Sequence, residues 1–130
     1  MAVPYSIDGK RRYAQAVLSG IVTGQDIART IEAIYDSPDW RPGFDIIWNF
    51  AGVTDLVFDT DDLESLVALR RARADAGGAG RDIIVIKRIL DDALARLYAA
   101  MTKNERRRTR LCASEDTALE ILGLAGDAGP

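Results

Sequence analysis

Two short apolar runs, Phe-Asp-Ile-Ile-Trp-Asn-Phe at residues 44–50 and Ile-Ile-Val-Ile at 83–86, largely lack the polar alternation of a half-wet strand. A strand covered on both faces reads in this continuous way, which is the pattern of a parallel sheet flanked by helices. Segments with helical spacing lie around them. Thr23 stands where an N-cap belongs, Asp26 adds negative charge to the first turn, and Ile27, Ile31, Ile34 and Tyr35 recur on one face. Ser37-Pro38-Asp39 ends that helix, because proline disfavours helix in the residue before it. Asp59 or Thr60 is predicted to cap a second helix with Leu63, Leu66, Val67 and Ala74 as its buried stripe, and Gly77-Gly78-Ala79-Gly80 reads as a flexible stop. Leu90, Leu94, Leu97, Tyr98 and Met101 mark a third stripe, with Asp91 and Asp92 at its positive end. Ser114 caps a last helix carrying Ala118, Leu119, Ile121 and Leu122, and Gly123 sits at the C′ position.

The remaining elements complete the order. Residues 3–8 and 11–19 read as two strands joined at Asp8-Gly9, with Gly20 closing the second. Ala14, Ala16 and Leu18 face one side of that strand, and Tyr13, Gln15 and Val17 the other. Residues 51–58 read as a loop and 108–113 as a final strand. The predicted order is β-β-α-β-α-β-α-β-α. This is an α/β fold with a mostly parallel sheet flanked by helices and an antiparallel first strand. The chain is expected to form one domain over residues 1–124, with 125–130 as a flexible tail. Its 130 residues suffice to bury a core without a disulfide or metal staple.

Composition removes whole classes of chemistry. The chain has no histidine and one cysteine, Cys112, which excludes a Ser-His-Asp triad, a Cys-His pair and a Cys/His zinc site. Cys112 reads as a small buried hydrophobe, with no base beside it. A net charge of −3 argues against a dedicated nucleic-acid binder. With no signal-peptide pattern and no apolar run long enough for a transmembrane helix, the expected location is the cytoplasm.

The candidate sites are few. Asp59, Asp61, Asp62 and Glu64 are the densest acids, readable as a divalent-metal or acid–base group, or more simply as first-turn residues that favour the helix dipole. Arg70, Arg71 and Arg73, and Arg106, Arg107, Arg108 and Arg110, are readable as anion contacts. They also fit a helix end and a guarded edge strand, and no aromatic interleaves them for base stacking. The glycine run at 77–80 lies between helix and strand, the wrong place for cradling phosphate. Lys87 is placed at the end of a core strand, the edge where α/β proteins bind ligands, and also fits a surface position. Trp40 and Trp48 are expected in the core. The alternative for Trp48 is an apolar ligand lining shared with Phe50, Leu66, Leu94 and Tyr98, around a cavity on the order of a few hundred Å³.

The segment Trp-Arg-Pro-Gly-Phe-Asp-Ile-Ile-Trp-Asn-Phe-Ala-Gly-Val-Thr-Asp-Leu at 40–56, together with the element order, resembles the STAS/SpoIIAA-like superfamily of bacterial anti-sigma-factor antagonists. The resemblance covers nearly the whole chain and is nearest to that superfamily's stand-alone STAS-like branch. It implies a non-enzymatic module without a cofactor or metal. Such a module acts through protein contact, or as a homodimer, by way of the segment from Thr54 to Leu69 with Asp55, Asp59, Asp61 and Asp62. It also implies Thr60 as the candidate phosphoacceptor, where family antagonists present a serine. This chain lacks the serine pair and glycine of that loop, and Asp61 and Asp62 would repel an incoming phosphate. The resemblance extends to folds that carry lipids between sheet and helices, which gives the alternative of a carrier or sensor of a small apolar ligand.

Overall fold

A computed structural model describes residues 3–124, apart from the side chains of Ile89 and Leu90. The expected tail at 125–130, and the expected role of Leu90 in a helical stripe, lie outside the described residues. The elements are β1 (Tyr5–Asp8), β2 (Tyr13–Thr23), α1 (Gly24–Asp36), β3 (Asp45–Val57), α2 (Thr60–Ala72), α3 (Ala74–Gly77), β4 (Arg81–Val85), α4 (Ile89–Met101), β5 (Arg108–Cys112) and α5 (Glu115–Ile121). They form a five-stranded sheet in the order β1-β2-β3-β4-β5. β1 is antiparallel to β2, and every later pair is parallel.

This monotonic order explains the layers. Right-handed crossovers that always step the same way place α1, α2 and α4 on one face. There they cover Ala14, Ala16, Leu18, Ile46, Trp48, Phe50 and Ile84. α5 follows the last strand and covers the other face, where Ala118 packs on Ile47, Ile83 and Val85. β3 and β4 are thus apolar on both faces, as their sequence predicts. Thr23 and Asp59 each close a capping box, with Asp26 and Asp62 as the reciprocal acids. The α5 end is a Schellman-type turn: Gly123 has φ +76°, and Leu124 N–H donates to the Leu119 carbonyl at 2.8 Å.

Several boundaries differ from the sequence reading. The first hairpin does not turn at Asp8-Gly9. Residues 9–12 form the loop, the Asp8 carboxylate accepts from Arg11 N–H at 3.0 Å, and Arg12 takes the left-handed conformation at φ 63°. β2 does not stop at Gly20 but runs to Thr23, and residues 51–57 are strand rather than loop. The two pair across this extension, from Ser19 opposite Gly52 to Thr23 opposite Val57, with register shifts between Val17 and Ser19 and between Gly20 and Ile21. Gly20, at φ +67°, supplies the backbone freedom such an irregularity requires.

The glycine run is no loose stop. It begins as α3 and then becomes a packing seam, because a Cβ on Gly78 would lie 2.6 Å from the Gly43 nitrogen. In α2, Ala74 lies beyond the helix and is exposed, and Arg70 takes the last buried place of the stripe. In α4, Leu97 is half exposed and Ala95 occupies the buried position instead.

Candidate functional site

Two places concentrate the candidate residues, an apolar cavity under the helices and the free end of the β2–β3 ribbon. The cavity, about 70 Å³, lies between the sheet and the helix layer. Trp48 and Phe50 of β3, Leu66 of α2, and Leu94 and Tyr98 of α4 all line it, joined by Ile27, Ile31 and Tyr35 of α1. The structure therefore brings the five residues singled out in the sequence around one cavity, two from the sheet and three from the helices. The volume is well below the few hundred Å³ expected, and is about half of a cavity of roughly 150 Å³ that admits benzene.

One end of the cavity is polar, where Arg70 and Asp82 line it 3.5 Å apart, and Asp91 at the start of α4 lines it elsewhere. Asp82 is the second residue of β4, on the same face as Ile84 and Ile86, so its side chain enters the core. It accepts from Trp48 Nε1 at 3.1 Å, and from Arg107 Nε at 2.8 Å and Nη2 at 3.1 Å. Arg107 Nη1 and Nη2 donate to the carbonyls of Phe44, Gly77 and Arg81. Arg70 Nη1 donates to Thr109 Oγ1 at 2.6 Å and lies 3.5 Å from Asp82 Oδ2, and its Nη2 donates to the Arg107 carbonyl. Its Nε pairs with Glu105 Oε1 at 3.1 Å as an ion pair outside hydrogen-bond geometry.

Both guanidiniums are only 4% exposed, which corrects their reading as dipole-complementing or edge-guarding surface residues. Burial is the largest single influence and would lower their pKa values, but Asp82 acting together with Tyr98 and Glu105 on Arg70, and with Tyr35 and Asp45 on Arg107, reverses it and raises both. Burial pushes the Tyr35 phenol up to about 12, reinforced by Asp82, and raises Tyr98 in the same way. The signal for Arg70 was present in the sequence, since it falls seven residues after Leu63 and three after Val67 on the buried stripe.

The second place is the ribbon end. β3 pairs with β4 only over Ile46–Asn49, so its later residues extend past β4 alongside β2. On this extension Ile21 is 70% exposed and Val57 52%, with Val17 at 44% further back. Asp55 pairs in register with Ile21 and is exposed, as are Asp59, Thr60 and Asp61 just beyond. Asp59 and Asp62 accept from each other's backbone N–H at 2.9 Å, which assigns them to capping. Asp62 also packs against the start of α1, where a Cβ on Gly24 would lie 2.8 Å from it.

The other candidates are placed plainly. Cys112 is half buried, its thiol lies 3.4 Å from the Ser114 carbonyl, and burial raises its pKa. Lys87 is exposed. Trp40 is buried, donates to the Ala76 carbonyl at 2.8 Å and stacks edge-on to Phe44. Among the described residues no three acidic or thiol side chains converge on a metal-sized point, and no helix is long and apolar enough to cross a membrane.

Comparison with solved structures decides the architecture. The anti-sigma factor antagonist SpoIIAA, in its unphosphorylated form, superposes with a TM-score of 0.58 at 18% identity, covering 94% of this chain and 98% of that one. The chain has a SpoIIAA-like fold. An uncharacterized protein of the DUF3478 family with a SpoIIAA-like fold, from Shewanella loihica PV-4, superposes at TM-score 0.56 and 12% identity, covering 93% and 94%. No protein-family model and no curated protein matches the chain. The mostly parallel sheet and the helix layers are those the sequence resemblance implied.

Proposed function

We propose that this protein is a non-catalytic regulatory module that works by docking a basic surface of another protein onto the end of its β2–β3 ribbon. The observation that supports it is the exposed apolar pair Ile21 and Val57, rimmed by Asp55, Asp59 and Asp61. An apolar centre with a charged rim is the anatomy of a protein interface, and the rim's sign selects a Lys- or Arg-bearing partner. A twofold contact through the same patch would set these carboxylates against their own copies, so the expected homodimer is not made here. Thr60 lies inside this rim. A phosphoryl group there would face Asp59, Asp61 and Asp62, so the reading works by contact without a phosphoswitch.

The test is a photo-crosslinking residue placed at position 57, with position 97 as control because Leu97 is an exposed apolar residue on α4. The expected result is one discrete adduct from position 57, lost in Ile21→Asp and weakened in Asp61→Lys, with none from position 97. Equal crosslinking from both positions, or insensitivity to both substitutions, would refute it.

The cavity favours a second reading, a sensor of a small uncharged apolar ligand. Arg70 and Arg107 are matched by Asp82 and Glu105, which leaves no spare charge at the polar end for an ionic headgroup. A ligand as large as benzene already requires α2 and α4 to part. Native mass spectrometry of the freshly purified protein is expected to show an adduct that disappears in Leu66→Trp, and the bare chain mass alone would sink this reading.

A further inference from the structure

The arginines left over from the buried cluster open a different site. A groove of about 300 Å³ lies where α2 ends, between Arg71, Arg73 and Gly78 on one side and the 104–107 segment on the other, with Tyr35 and Arg70 as its floor. This is the end of the sheet where β4 and β5 begin, remote from the ribbon end. The two buried guanidiniums are neutralised by Asp82 and Glu105. Arg71 shares Glu105 at 3.2 Å, so that one carboxylate serves two arginines. Arg73 pairs with Asp36 at 2.7 Å on the rim. Arg106 is exposed and has no hydrogen bond or ion pair among the described residues. The groove and its rim thus hold five guanidiniums against three carboxylates, an excess of two positive charges in a chain of net charge −3.

Arginines arranged along a concave wall focus the positive potential there and favour an anion. Guanidinium forks match tetrahedral oxyanions with paired N–H donors, and Arg106 has all of its donors free. The volume stands at the lower edge of small-ligand pockets.

We propose that this groove is a binding site for a phosphate group, recognised as a dianion by Arg71, Arg73 and Arg106. Arg70 and Tyr35 wall both this groove and the apolar cavity, so the phosphate belongs either to a free metabolite or to the head of a single-chain phospholipid.

The experiment is an NMR titration of the full chain with inorganic phosphate at low ionic strength, against chloride at matched ionic strength. The expected result is saturable, phosphate-specific shifts around residues 71–78 and 104–107. Arg106→Gln should weaken binding about tenfold, the equivalent of one charge-assisted hydrogen bond. Arg110→Gln, an exposed arginine outside the groove, should leave it unchanged. A second arm uses monomeric lysophosphatidic acid. Binding at least about tenfold tighter than phosphate identifies a lipid head, and equal affinity identifies a free phosphate compound. Shifts that chloride reproduces, or equal weakening by the two substitutions, would overturn the proposal.

Discussion

Replacing Arg107 by lysine tests the energetics of the fold most sharply, because it keeps the charge and removes only the geometry. Arg107 places all five of its N–H donors: Nε on Asp82, Nη1 on Phe44 and Gly77, and Nη2 on Arg81 and Asp82. The segment carrying Arg107 is thereby tied to β4, to the end of α3 and to the turn before β3. A lysine has three donors on one nitrogen, so at least two buried acceptors lose their partner. At about 1.5–3 kcal/mol for each hydrogen bond to a charged group, Arg107→Lys should destabilise by roughly 3–6 kcal/mol. For a chain of this length that is a fall in Tm on the order of 10–20 °C. Urea unfolding followed by circular dichroism, with the m-value checked for constancy, measures it. The exposed Arg106→Lys is the control and should shift stability by less than about 0.5 kcal/mol. A loss under about 1 kcal/mol for Arg107→Lys would refute the reasoning, since it would mean the cluster is hydrated rather than buried.

Three further outcomes follow from particular residues. Gly78→Ala should cost about 1–3 kcal/mol in urea unfolding, because it forces φ +66° on a Cβ that meets the Gly43 backbone. Tyrosinate absorbance should show a component titrating near pH 12 that is absent in Tyr35→Phe. The Tyr35 pKa is raised on folding, so its stabilisation is full below the unfolded value of about 10 and is lost as pH rises through 12. Thr23→Ala should remove the α1 cap and about 1 kcal/mol. The Asp26 carboxyl is held below its usual value, first by the Thr23 backbone N–H, so its contribution is present above the unfolded pKa of about 3.9 and fades as pH falls through the lower folded value.

The layers were legible because they rest on local signals. Ile46 to Phe50 and Ile83 to Ile86 declared a doubly covered sheet, and Thr23, Ser114 and Gly123 declared helix ends. The ribbon extension was not legible, because Ala51-Gly52-Val53-Thr54-Asp55 has the composition of a loop and becomes strand only through its pairing with Ser19–Thr23. Tertiary pairing overrode local propensity there. The cavity wall was readable from aromatic and leucine spacing, whereas its size depends on how closely α2 and α4 approach. The buried cluster was hidden for another reason. Arg70 carried a signal in its place on the buried stripe of α2, but Arg107 looks like its exposed neighbours in the sequence, and only the placement of Asp82 on the inner face of β4 shows that it is buried.

Amide hydrogen exchange of the protein, free and with its captured partner bound, measures the contact itself. Docking at the ribbon end predicts slowed exchange confined to Ser19–Thr23 and Gly52–Asp61, with α5 and the β1 edge unchanged. Protection centred on any other surface, or none on these two segments, would contradict the account.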